Sequence, residues 1–125
     1  MTTLELQTKL DSFGTFHNFT DYRSIGDCLL EISPGCKYLL DYTDIQWLYD
    51  IIYNFLHDSK HEPAVHLIWD LKKEHNGLFT LTAKTLRGRL LFEQYEIDQK
   101  FPLDRLILYY YWFMMILPTE RVYGF

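Results

Sequence analysis

From Val65 onward the side chains alternate. Val65, Leu67, Trp69 and Leu71 fall on one side of an extended chain, and His66, Asp70 and Lys72 on the other. The dipeptide Asn76-Gly77, both of whose residues tolerate positive φ, follows as a hairpin signal. Beyond it Phe79, Leu81 and Ala83 alternate with Thr80, Thr82 and Lys84. A period of two on each side of a turn signal predicts an antiparallel hairpin with one apolar face, which other parts of the chain must cover. Arg87-Gly88-Arg89 reads as a second turn, into Leu90 to Ile97. That segment is taken as a third strand in preference to a short amphipathic helix.

The cover is expected from helices. Thr2 or Thr3 can cap a short helix through Leu4, Leu6 and Leu10 that closes before Gly14, and Thr15 to Thr20 reads as a loop carrying Phe16, His17 and Phe19. The clearest helix runs from about Asp44 to Asp58, with Thr43 as N-cap. Ile45, Leu48, Ile52, Phe55 and Leu56 line its apolar side, with Tyr49 and Ile51 at the margins. Cys28 to Ile32 and Lys37 to Leu40 fit helical turns or two strands about Ser33-Pro34-Gly35, and the helical reading of Tyr22 to Leu40 is preferred. Leu103, Leu106, Ile107, Tyr110, Met114 and Leu117 recur at helical spacing between Pro102 and Pro118, although the run Tyr109 to Phe113 has strong strand propensity. The expectation is one α+β domain over residues 1–125, with N-terminal helices packed on a small antiparallel β-meander and a buried C-terminal helix.

With 48% hydrophobic and 23% charged residues the chain sits far from the compositions that stay disordered. Its net charge of −5 argues against nucleic acid as a partner. The charge is lopsided: residues 1–62 hold ten carboxylates against four Lys/Arg, a balance of −6, whereas residues 63–125 balance at +1. The apolar run from Leu106 to Leu117 falls short of the ~20 residues of a membrane helix. Cys28 and Cys36 form no Cys-x-x-Cys element and follow no secretion signal, so a cytoplasmic, reducing setting is expected. In a hairpin centred on Pro34, Cys28 would oppose Leu40 rather than Cys36, and two buried free thiols are the simpler reading.

Catalytic motifs are absent or incomplete. His57 and His61, with Asp58, Glu62 and His66, are the metal candidates. However, His61-Glu62 reaches His66 one residue too late for a His-Glu-x-x-His helix, and Pro63 interrupts it. Asp70-Leu71-Lys72 matches half of a metal-dependent nuclease arrangement, and Arg87 and Arg89 flank a glycine without a phosphate-binding loop. His17, His57 and Cys36 are nominal catalytic ingredients with no identifiable partner in sequence. No cofactor is expected.

What remains is a surface. Asp41, Asp44, Asp50 and Asp58 alternate with Tyr38, Tyr42, Trp47 and Tyr53, and Asn54 and His57 complete the polar side of the Asp44 to Asp58 helix. Carboxylates among rigid aromatics suit a cationic cleft on a protein partner. In size, acidity, aromatic richness and lack of catalytic elements the whole chain resembles the small bacterial immunity proteins that neutralise nuclease toxins of contact-dependent growth inhibition. Phage-encoded inhibitors of host defence are similar in composition. The resemblance implies a cytosolic, non-enzymatic protein that binds a basic cognate toxin, with a homodimer through the Tyr109 to Phe113 run left open. The alternative is a small metal-dependent hydrolase centred on His57 and His61.

Overall fold

A computed structural model describes residues 2–16, 18–25, 28–58 and 66–120, with the side chains of Ile25 and Cys28 excepted. Helix α1 (Thr3–Asp11) opens on the Thr2 side chain, which accepts from the Glu5 amide at 3.0 Å, and buries Leu6 and Leu10. Strands β1 (Thr20–Ile25) and β2 (Cys28–Ile32) then form an antiparallel hairpin, followed by α2 (Pro34–Tyr42) and α3 (Gln46–Asp58). Five strands complete the chain: β3 (Leu67–Lys73), β4 (Phe79–Thr85), β5 (Leu90–Ile97), β6 (Arg105–Tyr111) and β7 (Met114–Ile116). They build one seven-stranded sheet in the order β1-β2-β7-β6-β3-β4-β5. The described pairings are antiparallel except that of β2 with β7.

The α+β class and the meander β3-β4-β5 match the sequence reading, and three expectations change. Thr20–Ile25 and Cys28–Ile32 are strand rather than helix, because β2 sits inside the sheet between β1 and β7 and buries Leu30 and Ile32. Helix begins at Pro34, where Ser33 caps the Cys36 amide and proline takes the first turn, which needs no N–H. Thr43 closes α2 instead of capping α3: its amide and hydroxyl both donate to the Leu39 carbonyl, and α3 starts at Gln46. The expected C-terminal helix is instead β6 and β7. Pro102 to Asp104 lead into a strand paired on both sides, whose Leu106, Leu108 and Tyr110 are buried while Ile107, Tyr109 and Tyr111 are half-buried. Both edges of β6 are taken, by β3 and β7, so this strand cannot pair edge to edge with a second copy.

The sheet is strongly curved. Tyr53 of α3 donates to the Ser24 carbonyl of β1 at 2.8 Å, while Phe55, two residues on, meets Phe92 of β5 edge to face at 5.4 Å. These strands are opposite edges of the sheet. Laid flat, seven strands span about 29 Å, against a helix about 10–12 Å across. One turn of helix reaches both edges only if the sheet wraps around it. The core lies between α3 and this concave face: Ile45, Leu48, Tyr49 and Ile52 of the α3 segment, Leu67, Trp69 and Leu71 of β3, and Phe79, Leu81 and Ala83 of β4.

β6 and β7 are joined by Trp112-Phe113 alone, with φ of 51° and 64°. Two left-handed residues suit a tight hairpin turn, but the favoured occupants are asparagine and glycine rather than bulky aromatics. Replacing Trp112-Phe113 by Asn-Gly is expected to stabilise the fold by roughly 1–3 kcal/mol. A raised urea midpoint with unchanged m-value would show it. A lowered midpoint would mean that the ring contacts of Trp112 with Tyr111 and Phe113 outweigh the strain.

Candidate protein-interaction surface

The aromatics of the acidic segment divide between internal and outward roles. Trp47 packs on Phe79 and donates its indole N–H to the Lys100 carbonyl at 3.1 Å. Tyr53 bonds to β1, and the Arg23 guanidinium lies 5.5 Å from its ring. These two residues are the flank anchors of the curved sheet, one on each side of α3, which explains why aromatics appear beside its polar face. Asp50 is likewise engaged, accepting from the Tyr22 hydroxyl at 2.7 Å and pairing with Arg23 at 3.0 Å.

On α2, Tyr38 and Tyr42 stack at 4.5 Å and Asp41 pairs with Lys37. They line an open cleft of about 500 Å³ with Lys9 and Phe13, the Lys9 ammonium lying over both the Phe13 and Tyr38 rings. Tyr42 is 65% exposed. Asp44, at the start of the α3 segment, borders a separate hollow with Lys73, Asp98 and Lys100.

The last part of the segment faces β5. Asn54 and Asp58 rim an open groove of about 400 Å³ whose floor is Ile51, Phe55 and Phe92, with Gln94 on the far side. Asp58 is exposed and its carboxylate meets His57 at 3.2 Å. Thus the ten residues singled out in the sequence divide four ways: Tyr38, Asp41 and Tyr42 in an α2 cluster, Asp50 and Tyr53 in an α3–β1 seam, Asn54 and Asp58 with the neighbouring His57 at an α3–β5 groove, and Asp44 and Trp47 beside Phe79 and Lys100. Sequence reasoning missed the groove's second wall, since Phe92 and Gln94 lie far along the chain. Leu90 to Ile97 does not alternate, so no local pattern pointed to them.

The other chemical candidates fare differently. Among the described residues no group of three or more His, Cys, Asp or Glu could hold a metal ion, and His17, His61 and Glu62 lie outside those residues. Asp70 receives a two-pronged bond from Arg105 across β3 and β6, at 3.0 and 2.7 Å, and this raises the guanidinium's pKa further. Lys72 sits exposed two residues away on β3. Among the described residues no helix is long and apolar enough to cross a membrane.

A protein-family model described as a family of unknown function (DUF6876) matches residues 4–121. This chain belongs to DUF6876. No curated protein and no solved structure matches it.

In this DUF6876 protein the buried acidic hydrogens belong to structure. Cys36 is a free, fully buried thiol that burial pushes up to about 12, and Tyr49, whose hydroxyl donates to the Cys36 carbonyl, is raised by the same desolvation. Tyr22 is raised by burial and by its bond to Asp50. All three hold their protons longer folded than unfolded. Native stability is therefore full below the ordinary thiol value of 9.0 and falls as pH rises from there towards about 12. Urea midpoints measured from pH 8 upward should decline, and Tyr22→Phe should decline less steeply. A flat profile to pH 11 would contradict the burial of these groups.

Proposed function

We propose that this protein is a non-enzymatic binding protein that captures a basic protein partner through the α3–β5 groove, in the manner of an immunity protein neutralising a nuclease-type toxin. The observation that carries the reading is the groove itself. A floor of Ile51, Phe55 and Phe92 rimmed by the Asp58 carboxylate, Asn54 and Gln94 suits a lysine or arginine. The aliphatic stem of such a side chain lies on apolar surface while its charged head reaches the rim. The net charge of −5 adds long-range attraction for a basic partner. Asp41 and Asp50, already paired with Lys37 and Arg23, contribute little net field of their own.

The test is capture of the partner from the native cell with the tagged protein, elution at rising salt, and assay of the captured protein for nuclease activity. Asp58→Lys is expected to weaken the complex by roughly 2 kcal/mol, about thirty-fold, with the fold intact. Asp50→Lys and Tyr53→Ala are poorer probes, since both residues hold α3 to β1. Partner affinity unchanged in Asp58→Lys and in Asn54→Lys would overturn the reading.

A further inference from the structure

The outer edge of β5 is the longest unpaired strand edge among the described residues. Natural edges are blunted by charged side chains, above all lysine, by proline, by bulges or by brevity. β5 has eight residues with neither lysine nor proline, and it exposes Leu90 at 44% and Tyr95 at 58%. Its pairing with β4 slips twice, between Gln94 and Ile97 and between Leu90 and Phe92, which bends the strand but leaves Phe92 to Gln94 in register with Leu81 to Ala83. The opposite edge, β1, is shorter and carries Arg23.

The charges along this edge are polarised. Arg87 and Arg89 precede the strand, Glu96 and Asp98 stand at its far end, and all four are exposed. Among the described residues none of the four forms an ion pair. Glu93 lies between them, its carboxylate engaged by the Tyr95 hydroxyl, whose pKa that bond raises. A parallel neighbour would set like charges side by side. An antiparallel neighbour of the same sequence, related by a two-fold axis near Phe92, sets the basic end of each copy against the acidic end of the other and brings Leu90 near Tyr95 across the seam. The edge is therefore complementary to itself in the antiparallel sense.

We propose that two copies of this chain associate through their β5 edges, the two strands pairing antiparallel to join the two sheets into one of fourteen strands. Strand pairing uses the outer edge of β5, whereas the groove described above opens towards α3. The dimer therefore does not depend on the proposed partner site.

The experiment is sedimentation of the full chain over a range of concentrations and salt. The wild type is expected to dimerise, less strongly as salt rises. A variant carrying Arg87→Glu and Arg89→Glu, and a second carrying Glu96→Lys and Asp98→Lys, are each expected to dimerise at least about tenfold more weakly, because like charges then face each other at both ends. Mixing the two variants restores complementarity at both ends, so the mixture is expected to form a heterodimer as tight as the wild type, which a merely unfolded variant would not do. As an independent readout, Glu93→Cys in a Cys28→Ser background should be joined to its own copy by a short bismaleimide, and Glu5→Cys on α1 should not. A wild-type monomer at every concentration, a dimer indifferent to both charge reversals, or a mixture that stays monomeric would each overturn the proposal.

Discussion

Glu120→Ala is expected to cost about 3–5 kcal/mol, more than any surface change in this protein, and to be read as a large fall in the urea midpoint. Glu120 is a carboxylate at 2% exposure placed where α2 begins. One oxygen meets the Ser33 hydroxyl at 2.5 Å and the Leu117 amide at 2.8 Å, and the other accepts from the Gly35 amide at 3.0 Å. The first turn of a helix has amides with no internal partner and a positive end, so a carboxylate there is favoured twice, by hydrogen bonding and by the helix dipole. Removing it strands several buried donors, each at about 1–3 kcal/mol. Ser33→Ala should cost less, about 1–2 kcal/mol, because the carboxylate remains. If Glu120→Ala lost under 1 kcal/mol, as roughly estimated for an exposed polar contact, the carboxylate would not be holding the helix. The same site explains Gly35: a Cβ there would lie 2.7 Å from the Glu120 oxygen and inside the Leu117 side chain, so only glycine lets the last segment close over α2.

Trp69→Ala is the second large effect, at about 3–5 kcal/mol. The indole is 1% exposed and packs between Phe55 of α3 and Phe92 of β5, each ring centroid 5.4 Å away, so it ties the helix to the far edge of the curved sheet. Its N–H has no acceptor among the described residues. Trp69→Phe removes that unsatisfied donor while keeping an aromatic ring, and it is expected to cost under about 1.5 kcal/mol. Comparable losses for alanine and phenylalanine would show that the indole N–H is satisfied or that the full ring volume is essential. Because Phe55 and Phe92 also floor the groove, Trp69→Ala should weaken partner capture beyond what the loss of stability explains.

The elements read correctly from sequence share one property: their local pattern and their tertiary role agree. β3 and β4 alternate because one face is buried against α3, and α3 shows a helical stripe because that stripe fills the curve. β6 was misread because a strand paired on both sides and half-buried on its outer face is apolar nearly throughout, and over a dozen residues such a run matches helical spacing as well as strand spacing. Residues 22–25 and 28–32 are strand where the helical reading is preferred from sequence, because a short apolar run such as Cys28 to Ile32 fits either period, and the change from strand to helix comes only at Ser33-Pro34. The candidate site was half visible. Asn54, His57 and Asp58 stood out as the polar face of a helix, but the groove exists only because sheet curvature brings Phe92 and Gln94 beside them.

The sequence by itself determined the α+β class, the meander, the main helix, and an acidic first half with aromatics set among its carboxylates, because each of these is written in spacings of a few residues. Only the tertiary structure decided which of those aromatics and carboxylates are spent internally. Trp47 and Tyr53 bond to backbone carbonyls more than twenty residues away in sequence, Asp50 is neutralised by Arg23, and Asp58 is left at the rim of an open groove. Those outcomes depend on which strand edges the curvature of a seven-stranded sheet brings to the helix, and no local pattern encodes a contact between residues that only the folded chain makes neighbours.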